Sequence, residues 1–238
     1  MSITIKHNKA PNLSQVKFTV DGKLDAKLDN IEIFKCMNKA NFTLFLGKGG
    51  SGKSSKIISF LKSKEGFKKI YHDIILFCPP NSRDSIKDDF WGKNLLPENI
   101  FDDLSMENLE TAYSMAEQNA QEGYRTLIIL DDVQKSLKGD NQKFLLHMVN
   151  NKRHASLSIW LACQNYKSIP PQIRAVITDM FIFKINKQEM EFIFEEHIEE
   201  TKKKFDEILK LLFKNEHDFL YINTMSQRLF NNWDELII

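Results

Sequence analysis

The stretch Phe42-Thr-Leu-Phe-Leu-Gly-Lys-Gly-Gly-Ser-Gly-Lys-Ser-Ser55 constrains this chain more than any other. It runs a short, mostly apolar stretch straight into a glycine-rich turn and then into residues with helical periodicity. The apolar run Phe42–Leu46 predicts a buried strand, and Ile57, Ile58 and Leu61 predict one face of a helix from Ser54 to Leu61. Between them, Gly47 to Ser54 fits the G-x-x-x-x-G-K-[ST] spacing. Glycines permit a backbone that turns its N–H groups inward around phosphate oxygens. The helix that follows presents its positive end to the same anion.

The expected nucleotide contacts are therefore Gly47, Lys48, Gly49, Gly50, Ser51, Gly52, Lys53, Ser54 and Ser55. Lys53 adds a point charge at the β and γ phosphates of ATP, and the Ser54 hydroxyl is placed to ligate Mg²⁺.

Further apolar runs alternate with helical segments. His72–Cys78 reads as a strand ended by Pro79-Pro80, with a polar loop through Asn81, Ser82 and Arg83. Met106–Glu122 reads as a helix capped by Ser105 and stopped by Gly123. Thr126–Leu130, Leu157–Cys163 and Met180–Ile185 read as three more strands, and Asn141–Asn150 as a helix. One long helix is expected over Lys187–Lys214, then a hairpin of Phe219–Asn223 and Arg228–Trp233. Strands apolar on both faces and separated by helices predict an α/β fold, a mostly parallel central sheet flanked by helices. Residues 1–35 read as an N-terminal extension, with an edge strand near Gln15–Val20, and residues 36–238 as one P-loop domain.

Two acids, Asp131 and Asp132, follow the Thr126–Leu130 strand. Adjacent carboxylates at a buried strand end repel each other, so a nearby cation is the economical explanation. Asp131 is the expected Mg²⁺ residue beside Ser54. Asp132 is the candidate that polarises an attacking water, or else a loop carboxylate. A strand lies between the cradle and the acid pair, an arrangement that favours hydrolysis over transfer to a small acceptor. Gln164, at the end of the fourth strand, is either a γ-phosphate sensor or an ordinary strand-end amide. Arg153, Arg174 and Lys48 are three basic candidates for charge delivered to the departing phosphate.

The bulk numbers narrow the partners. A net charge of +1 argues against a generally basic nucleic-acid coat, though a few cations on a pore-facing loop would serve a DNA motor. The Asn81–Lys93 loop is a candidate for that role, whereas Lys62–Lys69 and Lys202–Lys204 read as solvated helix faces. Cys36, Cys78 and Cys163 form no C-x-x-C pair and share no zinc spacing with the histidines, which suits reduced intracellular thiols. No stretch reaches the roughly 18 apolar residues of a membrane span.

The order of GKGGSGKS, LFCPP, IILDDV, NKRHASLSIWLACQ, IPPQIRA and MFIFKI resembles that of the genome-packaging ATPases of large DNA viruses and virophages, within the FtsK–HerA group. The resemblance covers roughly residues 40–235. It implies a RecA-like P-loop fold, ATP and Mg²⁺ as cofactors, and a homo-oligomeric ring, hexamer or pentamer. It implies double-stranded DNA as the cargo, a capsid vertex or portal as a partner, and residence in the viral factory of the host cytoplasm or in the virion. By that match Gln164 is the sensor and Arg153 the finger reaching a neighbouring subunit. One departure is Asp132, where the wider group usually has Glu. A kinase would need an Arg-rich lid, and no such cluster is present. A non-motor ATP switch is the other alternative, against which Asp132 and Gln164 argue for turnover.

Overall fold

The computed structural model describes residues 4–8, 31–84, 89–198 and 200–237. The Gln15–Val20 strand expectation and Lys87 lie outside them. In chain order the elements are β1 (Thr4–Lys6), α1 (Glu32–Cys36), β2 (Phe42–Leu46), α2 (Lys53–Lys62), β3 (Asp73–Phe77), α3 (Pro80–Arg83), α4 (Phe90–Asn94) and β4 (Ile100–Phe101). There follow α5 (Met106–Gln121), β5 (Thr126–Asp131), α6 (Gly139–Asn151), β6 (Leu157–Cys163), α7 (Pro171–Arg174) and β7 (Asp179–Phe183). The chain ends with α8 (Lys187–His197), α9 (Lys202–Leu211), β8 (Phe219–Asn223), β9 (Arg228–Asn231) and β10 (Asp234–Ile237).

Among the described residues the strands form one sheet in the order β1-β10-β9-β8-β7-β2-β6-β5-β3-β4. From β7 to β4 every pairing is parallel, and from β7 to β1 every pairing is antiparallel. The strand carrying the glycine-rich turn, β2, lies between β7 and β6, with β5 next beyond β6. All five of its residues are buried, because both faces of the sheet are covered. Phe42, Leu44 and Leu46 pack into the layer of α5, α6, α8 and α9, while Phe45 packs on the other side among Phe34, Phe60 and Trp160. β6 alternates in the same way, Leu157, Ile159, Leu161 and Cys163 to one face and Trp160 and Ala162 to the other.

Three expectations need correction. The long helix over Lys187–Lys214 is two helices, because Ile198 takes an extended backbone and Thr201 accepts a hydrogen bond from the Lys204 N–H, starting α9 afresh. The terminal hairpin is a three-stranded meander, with Asn232 at φ 55° turning the chain into β10, which then pairs with β1. Asn81, Ser82 and Arg83 are not loop residues. Pro80 occupies the first helical turn, where its fixed φ is favourable and its missing N–H costs nothing, so α3 forms. The Ser105 cap on α5 and the left-handed Gly123 that follows that helix are present as expected.

Candidate nucleotide site

The glycine-rich turn joins the end of β2 to the start of α2. Gly50 and Gly52 sit at φ 75° and 97°, a region that disfavours any side chain. Gly47 is required for a different reason: a Cβ there would stand 2.6 Å from Ser51 Oγ and 2.8 Å from Phe183 Cβ. Ser51 Oγ is buried without a hydrogen-bond partner. Lys48, Gly49 and Gly50 are exposed, as is Ser55 in the first turn of α2.

Lys53 is buried and folds back over the turn. Its Nζ donates to the Gly47 carbonyl at 2.8 Å and the Lys48 carbonyl at 3.1 Å. Burial pushes its pKa down, and the nearby Asp131 charge opposes that shift. Ser54 Oγ donates to Asp131 Oδ2 at 2.8 Å. Asp131, at the end of β5, is itself buried. Burial raises its pKa, the Ser54 bond and the Lys53 charge lower it, and Asp132 raises it further. A hydroxyl and a carboxylate side by side are hard oxygen donors, the kind Mg²⁺ takes alongside phosphate oxygens and water. The residues present therefore fit a Mg²⁺–nucleotide, and they could hold the metal between Ser54 and Asp131.

Because its pKa is raised in the folded state, the Asp131 carboxyl stabilises the native protein when protonated, below the unfolded carboxylate range. That contribution is lost as pH rises through the raised value. At neutral pH the unliganded fold thus carries a buried charge at a cost. Asp131→Asn keeps the shape and an acceptor for Ser54. The variant is expected to melt at or above the wild-type temperature at pH 7 without nucleotide, with the gap closing near pH 4. Thermal unfolding at the two pH values checks this, and a variant that melts well below wild type at pH 7 contradicts it.

Asp132 adopts φ 58°, which swings its carboxylate out of the line of β5. Ser82 Oγ, from α3, donates to Oδ2 at 2.9 Å. Gln134 Nε2 and Gln164 Nε2 donate to Oδ1 at 3.2 and 3.4 Å. Gly49, Lys53, Ser54, Asp131, Asp132 and Gln164 all line one pocket of about 270 Å³. The cradle, the acid pair and the strand-end amide, spread over more than a hundred residues of chain, are brought together because β2, β6 and β5 are parallel neighbours whose C-terminal ends lie side by side.

Neither arginine reaches this pocket. Arg153 is exposed just before β6, roughly 20 Å from the Gln164 end of that strand at about 3.3 Å per residue. It lines a separate cavity of about 620 Å³ together with Glu195 and His197. Arg174 is buried, bonded through Nε to Glu196 Oε1 at 3.2 Å and stacked on Tyr166 and Phe192. Three neighbours of the site carry no signal in the sequence. Ser82 and Gln134 belong to no motif. His217 lies on the turn before β8, its Nδ1 3.2 Å from the Ser51 carbonyl, and nothing in its sequence setting connects it to a loop so far upstream.

Among the described residues no helix is long and apolar enough to cross a membrane. The family model described as Poxvirus A32 protein matches residues 33–237. The DNA packaging protein OPG160 of Variola virus is 33% identical over 146 residues, covering 58% of this chain and 52% of that protein, and the vaccinia virus protein gives the same figures. This chain thus spans about half the length of the curated relatives it matches. Among solved structures, the genome packaging NTPase B204 of Sulfolobus turreted icosahedral virus 2 in complex with ATP-gammaS superposes with a TM-score of 0.60 at 17% identity, over 82% of this chain and 97% of that one. The B204 DNA-packaging ATPase of Sulfolobus turreted icosahedral virus gives 0.61 at 17% identity, over 80% and 95%. At such identity the likeness establishes the fold, a P-loop α/β domain with a mostly parallel sheet.

Proposed function

Since the chain belongs to the Poxvirus A32 protein family, we propose that it is an ATP-hydrolysing motor that moves double-stranded DNA into a viral capsid. The observation that carries this is the convergence of Ser54, Asp131, Asp132 and Gln164 beside the glycine-rich turn. A site built only to bind nucleotide needs the cradle and a metal residue. The second acid and the amide add a place for a water to be held and polarised. The names of the relatives, DNA packaging protein and genome packaging NTPase, point to the same use.

In this proposal the turn amides and Lys53 hold the phosphates of ATP. Ser54 and Asp131 would hold Mg²⁺, which would supply positive charge to the phosphates. Asp132 takes a proton from the attacking water, and Gln164 senses the γ-phosphate. Residues 36–238 form the motor domain and residues 1–35 an extension to it. The working form is a ring of five or six copies on a capsid vertex or portal, in the viral factory of the host cytoplasm or in the virion.

Arg153 is the finger. It is exposed before the start of β6, at the opposite end of that strand from Gln164, and so is free to reach a neighbouring copy in a ring. Arg174 is already engaged by Glu196 and two aromatic rings, which favours Arg153 over it. Arg153→Ala is expected to lower turnover by about 10³-fold or more in the assembled state. Mixing it with a Lys53→Ala chain should restore part of the activity, because some interfaces then combine an intact cradle with an intact arginine. No restoration at any mixing ratio contradicts the assignment. The motor reading itself is tested by ATP turnover with and without duplex DNA. Several-fold stimulation is expected, and a tight nucleotide complex that turns over at the same negligible rate with DNA present contradicts it.

A further inference from the structure

The Asp132 carboxylate is held by three elements at once: α3 through Ser82, the turn after β5 through Gln134, and the end of β6 through Gln164. An ionised carboxylate has about four acceptor positions. Two donors already sit on Oδ1 and one on Oδ2, so the position left for a water proton is on Oδ2, the oxygen that Ser82 fixes. The Ser82 bond is the shortest of the three, and the Ser82 backbone is held locally. Pro79 and Pro80 preset the backbone of α3, Ser82 N–H bonds back to the Pro79 carbonyl at 3.0 Å, and Arg83 ties the same turn to Asp102 at 3.0 Å. The two amides stand on longer, more flexible side chains at 3.2 and 3.4 Å.

We propose that Ser82 is a positioning residue for hydrolysis, aligning Asp132 so that the open acceptor position on Oδ2 faces the attacking water. This rests on the ATPase reading given above. In that reaction the water oxygen bonds to the γ-phosphorus and the bond to the β–γ bridging oxygen breaks, its electron pair leaving with ADP. One water proton stays on the phosphate and the other passes to Asp132 and on to solvent. Aspartate is one methylene shorter than glutamate, so it has less reach and fewer torsions with which to find the water. Its carboxylate must be delivered by the backbone, through φ 58°, and then held from outside. Ser82 does the holding, from a segment that neither the cradle nor the acid pair includes. The position of α3 thereby sets the competence of the base.

The test is turnover at saturating Mg²⁺·ATP, paired with nucleotide binding, for Ser82→Ala, Ser82→Thr, Asp132→Asn and the double variant Ser82→Ala/Asp132→Asn. Loss of one hydrogen bond to a charged group predicts about a tenfold lower kcat for Ser82→Ala, with nucleotide affinity within about twofold of wild type. Ser82→Thr, which keeps the hydroxyl, should restore most of the rate and also shows that the site tolerates change. In the Asp132→Asn background, Ser82→Ala should cost nothing more, because its effect runs through that carboxylate. A Ser82→Ala enzyme as fast as wild type or faster overturns the assignment, and so does an equal slowing with and without Asp132. A wild-type protein that binds nucleotide and never turns it over removes the ATPase reading as well, an outcome distinct from an active wild type with an indifferent Ser82.

Discussion

Lys53→Ala is expected to reduce ATP turnover by roughly 10²–10³-fold and to weaken Mg²⁺·ATP binding in parallel. Two effects combine. The Lys53 ammonium is buried at the turn that would hold the phosphates, where a charge counts for more than in bulk solvent. It also holds the turn itself, since Nζ satisfies the carbonyls of Gly47 and Lys48. Removing it leaves the buried Gly47 carbonyl short of a partner and the Asp131 carboxylate short of a countercharge. The variant should therefore lose affinity as well as rate, and Lys53→Arg should not rescue it, because a planar guanidinium cannot enter the space of an ammonium set between two carbonyls. Turnover and nucleotide titration together check this. A Lys53→Ala protein with wild-type affinity for Mg²⁺·ATP would place the nucleotide somewhere other than this turn.

Gly47→Ala has the second-largest expected effect, and it acts on the fold as much as on the site. The added methyl would meet Ser51 Oγ at 2.6 Å and Phe183 Cβ at 2.8 Å. Ser51 can rotate away, but a Cβ on β7 moves only with its strand, and β7 is paired to β2 over four residues. Overpacking of this kind costs about 1–3 kcal/mol, which for a domain of this size is a fall in melting temperature of roughly 2–10 °C. The turn should also open, with loss of nucleotide binding. Gly49→Ala is the control: its Cβ would meet only Gln164 Oε1, at 3.8 Å, so the unliganded protein should melt close to wild type. Thermal unfolding of the two variants side by side checks the contrast. Equal melting temperatures would mean that β2 and β7 approach each other less closely than described.

These two glycines also separate what the amino-acid order reveals from what only the folded chain does. The spacing of Gly47, Gly52, Lys53 and Ser54 between an apolar run and a helical one predicts a glycine turn from strand to helix, and that turn is present. The spacing does not reveal that Gly47 is dictated by Phe183, which lies 136 positions further along and becomes a neighbour only through the pairing of β2 with β7. The acid pair after β5 is equally legible, because charges at the end of a fully apolar strand require a reason. Ser82 and His217 are not. A serine after two prolines and a histidine in a polar turn are common on any surface, and it is sheet order that brings both to the cradle.

The elements that depart from the sequence pattern do so for a similar reason. Lys187–Lys214 reads as one helix by pattern, and the extended backbone at Ile198 and the capping Thr201 divide it. The final strand β10 is four residues long with two of them acidic, a pattern too short and too polar to stand out until β1 and β9 pair with it on either side. In the sequence both Arg153 and Arg174 are candidates, with the resemblance favouring Arg153 over Arg174. Burial beneath Tyr166 and Phe192, with Glu196 as its partner, separates the two.

The proposal at the centre of this account is that hydrolysis drives movement along duplex DNA. Displacement of a short third strand annealed to a linear duplex reads that movement directly. Release of the third strand is expected with Mg²⁺·ATP, at a rate that follows turnover, and no release with a non-hydrolysable analogue or with Lys53→Ala. Brisk ATP hydrolysis in the presence of duplex, with the third strand left in place, would contradict it.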